Sequence, residues 1–227
     1  MRLQQLSISS TLRRCGAACS LAALFALSLT GCAGLMPQST PEPGPQLTRH
    51  YSDAIALGGR MSIRYTQNDR EQAVHGSFTW DQSANNIVMS LLSPLGQTLA
   101  TIEIRPGVAI LKQSGKAPLS AADVDMLTEQ ALGWPLPVSG LRDWLQGFGH
   151  DSKGQTFVAQ PSSEVHDVDT RDGWKLSYGE WQDNAANTAQ NHPKRIDLTR
   201  KTRQAGPVAI RIVIDKWQLP GPPASKP

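Results

Sequence analysis

Alternation of apolar and polar residues is the feature of this sequence that most narrows the folds open to it. It recurs in seven stretches between residues 50 and 219, separated by glycines, prolines and short polar runs. A period of two is typical of strands that bury one face and expose the other. The sequence therefore predicts a mainly β domain with antiparallel strands. The apolar positions are Met61, Ile63 and Tyr65; Phe78 and Trp80; Ile87, Met89 and Leu91; Ala100, Ile102 and Ile104; Trp174, Leu176 and Tyr178; Ile196 and Leu198; and Val208, Ile210, Ile212 and Ile214.

Two stretches in the middle of the domain have the period of a helix instead. Ser120 is positioned to cap the first helix, with Leu119 packing against Val124. Ser139, which follows Pro137, is predicted to cap the second. Because two helices cannot extend a sheet, we expect them to lie across it and to close one mouth or face of a curved β surface. Their apolar faces are Val124, Leu127 and Leu132 in the first helix and Leu141, Trp144, Leu145 and Phe148 in the second.

The N-terminal segment has the features of an export signal. Arg13 and Arg14 precede an apolar stretch that ends in Leu29-Thr30-Gly31-Cys32. The stretch is about 16 residues long, whereas a membrane-spanning helix needs about 20. Residues 29–32 resemble the lipobox of bacterial lipoproteins. This resemblance implies cleavage after Gly31 and a diacylglycerol on the sulfur of Cys32, with an ordinary secretory signal as the alternative.

Removal of this signal changes both the charge and the thiol content. Three of the 22 Lys and Arg residues and none of the 19 Asp and Glu residues lie before Cys32, so the mature chain has 19 of each sign. A neutral chain gives no support to nucleic-acid binding, which requires a surplus of cations. Cys15 and Cys19 lie in the discarded segment. The mature chain therefore has no free thiol for a disulfide, a metal site or catalysis.

The flanks of the alternating region have the composition of linkers. Pro37, Pro41, Pro43 and Pro45 follow the lipobox with almost no large apolar residue between them, and the last eight residues are rich in proline. The sequence therefore predicts one folded domain between two loose segments. The predicted boundaries are a signal peptide at 1–31, a lipidated and flexible tether at 32–49, the domain at 50–219 and a tail at 220–227.

The sequence contains no established catalytic or metal-binding motif. The histidines have no spacing typical of zinc ligands, and the chain has no Gly-x-Ser-x-Gly turn. Gly115-Lys116 lacks the glycine spacing of a phosphate-binding loop. Glu164 and Asp167 could act as an acid pair, but sequence does not define their separation. We therefore expect no enzyme, no cofactor and no metal. The histidines are His50, His75, His150, His166 and His192.

The segment Ser93-Pro94-Leu95-Gly96 fits a type I turn with Leu95 at its tip. An apolar tip is unusual, because turn tips normally face water. Two interpretations remain open. Leu95 either folds back to close the end of the core, or it enters a bilayer or the apolar surface of a partner.

Six motifs, occurring in one order along residues 50–219, carry a family resemblance. They are Gly59-Arg60, Phe78-x-Trp80, Ser93-Pro94-Leu95-Gly96, Leu141-x-x-Trp144-Leu145-x-Gly147, Gly173-Trp174-x-Leu176-x-Tyr178 and Trp217. Together with the lipobox, they resemble the LolB family of outer-membrane lipoprotein receptors. The resemblance implies an incomplete antiparallel β-barrel whose helices cover an apolar cavity.

The resemblance also implies a function and a set of site residues. Such a receptor takes lipoproteins from the periplasmic carrier LolA, binds their acyl chains and inserts them into the outer membrane. The exposed leucine of the family corresponds to Leu95, presented by Pro94 and Gly96 and acting late, when cargo moves into lipid. The residues expected to line the cavity are Met61, Phe78, Trp80, Met89, Ile102, Trp144, Leu145, Trp174, Leu176 and Ile212.

The expected partners are the carrier LolA, lipidated cargo and outer-membrane phospholipid, bound by a monomer without nucleic acid. Ala33 follows the lipidated cysteine, and under the enterobacterial sorting rule the absence of Asp there favours the outer membrane. Two other functions stay open. A structural or assembly lipoprotein would have no acyl-chain cavity, and a hydrolase of envelope polymers would need two converging titratable groups.

Overall fold

The computed structural model describes residues 49–161, 167–182, 191–203 and 205–219. Cys32, the predicted signal peptide, nearly all of the predicted tether and the predicted tail lie outside these residues. The strands are β1 Ile55–Gln67, β2 Arg70–Gln82, β3 Ile87–Leu92, β4 Thr98–Arg105, β5 Val108–Gln113, β6 Leu119–Ala121, β7 Phe148–His150, β8 Thr156–Val158, β9 Asp167–Asp169, β10 Lys175–Gln182, β11 His192–Lys201 and β12 Pro207–Gln218. The helices are α1 Val124–Leu132 and α2 Val138–Trp144, and no helix in the described part of the chain is long and apolar enough to cross a bilayer.

Ten of these strands form one antiparallel sheet. Its order is β6-β5-β4-β3-β2-β1-β12-β11-β10-β9, while β7 and β8 pair separately as a hairpin. The edge strands β6 and β9 are not paired with each other, so the sheet is open. The prediction of a mainly β, incomplete antiparallel barrel is confirmed.

The two faces of the sheet follow the alternation in the sequence. Met61 and Ile63 are buried on what we call the inner face, whereas Arg60 and Arg64 are exposed on the outer face. Of the apolar positions predicted from the alternation, Leu91 and Ile104 are half-buried and all the others are buried. Burial of each large apolar side chain contributes about 1.5–3 kcal/mol to folding. The hydrophobic pattern therefore defines both the strands and the side of the sheet that faces the core.

The first helix begins later than predicted. Its N-cap is Asp123, whose Oδ1 accepts the backbone N–H of Met126 at 2.9 Å. Ser120 instead lies in β6, opposite Ile110, and Leu119 pairs with Leu111. The predicted cap at Ser120 is therefore wrong, and Leu119, predicted to pack against the helix, is 46% exposed. The reason is that pairing with β5 holds residues 119–121 in a strand, so the helix can begin only after them.

The predicted cap of the second helix is also wrong. Pro137 is the N-cap of α2, and Ser139 lies inside the helix. The N–H of Ser139 donates to Oδ1 of Asp125 at 3.0 Å, and its hydroxyl donates to Oδ2 of the same carboxylate. Burial raises the pKa of Asp125, and the bonds from Ser139 oppose that effect. A carboxylate in α1 thus caps α2 and ties the two helices together.

The helices cover the inner face of the sheet. Leu127 of α1 and Leu141 of α2 belong to the same buried cluster as Met61 and Trp80 of the sheet. Trp134, in the loop between the helices, contacts Tyr65 of β1 with ring centroids 6.2 Å apart. The interior therefore lies between the sheet and a layer formed by α1, α2 and their connecting loop.

Candidate functional site

The Leu95 turn is held by three hydrogen bonds at its base. The N–H of Gly96 donates to the carbonyl of Ser93 at 2.8 Å, and the N–H of Ser93 donates to the carbonyl of Gln97 at 2.8 Å. The N–H of Gln97 also donates to the hydroxyl of Ser93 at 3.2 Å. Gly96 has a φ of +80°, which disfavours any residue with a side chain. The turn is therefore a defined structure with Pro94 and Leu95 at its tip.

Leu95 points into solvent. It is 88% exposed, well above the other exposed large apolar residues of the described chain, such as Leu99 at 45% and Met126 at 58%. The interpretation in which Leu95 folds back to close the core is wrong. The other interpretation, in which Leu95 enters a bilayer or the apolar surface of a partner, is the one that stays open.

The ten predicted cavity residues lie in one buried cluster. All are at most 5% exposed. They lie on the inner face of the sheet, in the residue directly before β10 and at the end of α2. Trp80 pairs with Met89, and Met89 pairs with Ile102, so three of them form a row across neighbouring strands. The structure thus brings the whole set together. Whether it lines a cavity for acyl chains is not tested by this burial and stays a prediction.

Other buried residues belong to the same interior and were not among the predicted set. Leu111 extends the row of Ile102 onto β5, a strand that the sequence analysis did not predict. Leu136 and Val138 flank Pro137 in the helical layer and are fully buried. Residues on either side of a proline have no helical or strand period to mark them, so the pattern could not identify them.

Two open pockets of the described chain lie outside this interior. One, of about 510 Å³, lies between α2, the β7–β8 hairpin and the turn before β10, and it is lined by Asp143, Asp151 and Asp172. Trp144 is the one predicted cavity residue that borders it. A second, of about 410 Å³, is a trough on the outer face of the sheet. The ten predicted cavity residues are at most 5% exposed, so this interior presents almost no accessible surface in the described part of the chain.

Arg49 forms a buried junction at the start of the described chain. Its guanidinium donates to three backbone carbonyls, those of Asn191 at 3.0 Å, Ala159 at 2.8 Å and Gln146 at 2.5 Å. It also lies over the rings of Phe148 and Trp181, at 5.2 and 4.8 Å from their centroids. Burial lowers the pKa of Arg49 to about 10, so the side chain stays charged at neutral pH. The junction joins the end of α2 to the loops before β11 and after β8.

The same junction includes a second connection to the helical layer. The amide of Gln146 accepts the N–H of Ser52 at 2.9 Å and donates to the carbonyl of Ser52 at 3.0 Å. Gly147 has a φ of +79°, and a Cβ there would lie 2.7 Å from Nη1 of Arg49. Sequence reasoning missed Arg49 because its partners are backbone carbonyls, which carry no residue-type signal.

No group of three or more His, Cys, Asp or Glu residues is placed to bind a metal ion within the described ranges. His192 stacks on Trp217 with ring centroids 4.2 Å apart. Burial lowers the pKa of His192, and the nearby charge of Arg49 lowers it further. These surroundings are typical of a histidine that contributes to packing.

Comparison with known proteins identifies clear relatives. A family model described as outer membrane lipoprotein LolB matches residues 53–217. The curated outer-membrane lipoprotein LolB of Cupriavidus pinatubonensis is 36% identical over 203 residues, which are 86% of this chain and 91% of the relative. The protein of the same name from Ralstonia nicotianae is 35% identical over 210 residues, covering 88% and 93%. Among solved structures, a LolA superfamily protein from Nitrosomonas europaea aligns with a TM-score of 0.41 and 9% identity, covering 78% of this chain and 90% of that one.

Proposed function

The chain belongs to the LolB family of outer-membrane lipoproteins, and from this premise we propose how it localises other lipoproteins. A member of this family is a localisation factor and not an enzyme. We propose that the chain is anchored through a lipidated Cys32, accepts cargo from a LolA carrier, holds the acyl chains in its apolar interior and inserts them into the outer membrane. Pro94, Leu95 and Gly96 form the element that contacts the membrane.

The observation that carries this proposal is the exposure of Leu95 on a fixed turn. An exposed leucine contributes nothing to the core, and the hydrogen bonds of Ser93 hold it in place. Transfer of such a side chain from water into hydrocarbon is favourable, whereas transfer of a charge is strongly unfavourable. Contact with a bilayer therefore gives the turn a physical role that burial does not.

The cargo requires a shielded route for its acyl chains. Each methylene moved from hydrocarbon into water costs about 0.8 kcal/mol, so a chain of roughly sixteen carbons resists exposure by about 12 kcal/mol. A receptor must bind these chains more tightly than the carrier does and less tightly than the bilayer does. Transfer then proceeds downhill without nucleotide hydrolysis.

The interior offers apolar surface of the required chemistry. Trp80, Met89 and Ile102 present a continuous row of apolar side chains, with Trp144 and Leu145 facing the same cluster from α2. Because these residues are at most 5% exposed, acyl chains would take the place of the contacts that α2 makes now. The proposal therefore includes displacement of the helical layer from the inner face when cargo binds.

A transfer assay tests the role of the turn. Carrier loaded with a labelled lipoprotein is mixed with the lipidated chain in liposomes, and label is measured on the receptor and in the bilayer. Leu95→Glu should accept cargo at the normal level and fail to release it, because the new charge resists burial in lipid. Asn85→Glu, in the exposed turn between β2 and β3, is the matched control and should release cargo normally. Normal release by Leu95→Glu would contradict the proposal.

A binding experiment tests the interior separately. A fluorescent fatty-acid analogue should bind the chain saturably and be displaced by an unlabelled fatty acid. Binding should survive Leu95→Glu, because the turn lies outside the interior. Absence of competable binding would favour the alternative of a structural or assembly lipoprotein with a solid core.

A further inference from the structure

The outer face of the sheet carries a trough that the proposed function does not use. It has a volume of about 410 Å³ and crosses β2, β1, β12 and β11. Small side chains form its floor, since Ser62, Thr199 and Ala209 lie in it while the buried side chains of neighbouring residues turn inward. Its walls are the longer side chains of Arg64, His75, Arg211 and Asp197.

The charges in this trough do not cancel. Asp197 is the one carboxylate among its described lining residues, and it is already bound by Nε of Arg211 at 2.5 Å and approached by Nε of Arg195 at 3.3 Å. The guanidinium of Arg64 is exposed and forms no side-chain hydrogen bond or ion pair with a described residue. The residues paired with Arg64 on β2 and β12 are Ala73 and Ala209. The trough therefore has an uncompensated guanidinium beside the imidazole of His75.

Arg60, a second arginine on β1, differs from Arg64 in having a carboxylate partner. Arg60 lies on the same face of β1 and forms two bonds to Asp215, at 2.9 and 3.0 Å. Two guanidinium donors of Arg60 are bound to the carboxylate of Asp215, whereas those of Arg64 have no described partner and border the trough. A planar guanidinium with free donors is suited to phosphate, which it binds through two parallel hydrogen bonds.

The trough lies close to the Leu95 turn. Strand β2 continues past the last residue of β3, and the backbone of Leu92 and Ser93 runs against Gly76, the neighbour of His75. Arg64 lies on β1, two strand spacings or about 10 Å to the side of β3. It pairs with Ala73, three residues past Gly76 in the direction in which the chain leaves β3. Apolar elements of peripheral proteins enter the headgroup boundary by about 5–10 Å. Arg64 and His75 lie toward the same end of the strands as the Leu95 turn, so they can reach the level of the lipid phosphates when Leu95 is inserted.

We propose that the trough bounded by Arg64, His75 and Arg211 binds the phosphate of an anionic phospholipid headgroup while Leu95 is inserted. This inference rests on the proposed function, since it assigns a lipid contact to the same membrane step. The guanidinium of Arg64 makes the main contact, and Arg211 keeps its bond to Asp197. The Arg60 pair takes no part.

The test is a titration of the full lipidated chain in neutral detergent, followed by NMR shifts of residues 62–64 and 75. The probes are dihexanoyl phosphatidylglycerol, dihexanoyl phosphatidylcholine and inorganic phosphate. We expect phosphatidylglycerol to bind most tightly and Arg64→Ala to weaken it about fivefold, since one basic residue near an anionic lipid surface contributes about 1 kcal/mol. Arg60→Ala is the matched control and should bind as the unmodified chain does.

Three results would overturn the inference. Absence of binding would remove the site, equal binding of inorganic phosphate would assign it to a free anion, and equal weakening by Arg60→Ala would reduce it to general surface charge. Leu95→Glu separates this inference from the proposed function, because it should leave binding of the short-chain lipid unchanged. If Leu95→Glu releases cargo normally while the trough still binds lipid, the membrane role of the turn fails and the phosphate site stands.

Discussion

Arg49 and Leu95 reverse the usual placement of charge and apolar surface in opposite ways. Arg49 is a charged side chain that is only 9% exposed, and Leu95 is an apolar side chain that is 88% exposed. Buried charge is tolerated because three carbonyls and two aromatic rings surround the guanidinium. Exposed apolar surface is tolerated because the backbone of the turn, and not its side chain, makes the stabilising contacts.

The two residues also lie at opposite ends of the strands. Ile55, Gln82 and Ile87 share one row across β1, β2 and β3, and Gln82 donates to the hydroxyl of Tyr51, close to Arg49 in the chain. The Leu95 turn follows β3 at its other end. The Arg49 junction and the proposed membrane contact thus lie at separate ends, so a substitution at one end should leave the property of the other intact.

The largest effect is expected from Arg49→Ala. Removal of the guanidinium leaves three buried carbonyls without their donor, and each unsatisfied group costs about 1–3 kcal/mol, so we expect a loss of about 3 kcal/mol or more. Urea unfolding followed by tryptophan fluorescence measures it. Arg60→Ala, which removes an exposed pair, should leave the unfolding midpoint nearly unchanged. A similar midpoint for both variants would show that the Arg49 junction is not structural.

A smaller loss is expected from Gly147→Ala. A left-handed φ costs a residue with a side chain about 1–2 kcal/mol, and here the new Cβ would also press on Nη1 of Arg49. Gly96→Ala is the matched control, because Gly96 has nearly the same φ and nothing lies within 4 Å of a Cβ there. The difference in unfolding free energy between the two variants measures the crowding at Gly147, mainly against Nη1 of Arg49 at 2.7 Å and Cγ of Pro193 at 3.3 Å. Equal losses would mean that backbone strain alone matters.

The smallest expected effect is a pH dependence of the unfolding free energy, caused by His192 near Arg49. The pKa of His192 in the folded state is below its ordinary value of 6.5, so the unfolded chain takes up a proton first as the pH falls. The contribution of His192 to stability is therefore present above pH 6.5 and is lost as the pH falls through the window between 6.5 and the folded-state pKa. Unfolding free energies measured across this window should decline less in His192→Phe, which keeps an aromatic ring against Trp217. An identical decline in both proteins would contradict the assignment.

The hydrophobic pattern predicted the sheet because alternation is a local property. Residues such as Met61 and Ile63 show which face is buried without reference to any partner. The turn at Ser93 was equally local, since its proline and glycine define the backbone. Helix starts were predicted less well, because Ser120 and Asp123 are both capping residues and only the pairing of β6 with β5 decided between them.

For the interior, too, the sequence predicted what depends on local pattern and not what depends on tertiary packing. The residues from Met61 to Ile212 were correctly expected to be buried, because their periodicity marks an apolar face. Periodicity does not distinguish a packed core from a space that acyl chains can enter, because both are lined by the same residue types. The role of these residues in binding acyl chains therefore remains a proposal.

Local patterning in the chain determined the class of fold, the buried face of each strand and an apolar residue at the tip of a turn, because each depends on a few neighbouring residues. Tertiary structure decided that Leu95 stays in solvent, that Arg49 is buried among carbonyls from three distant loops, and that Arg64 lies between two alanines while Arg60 meets Asp215. These features depend on strand register and on backbone groups brought together from far along the chain. No short stretch of sequence contains that information.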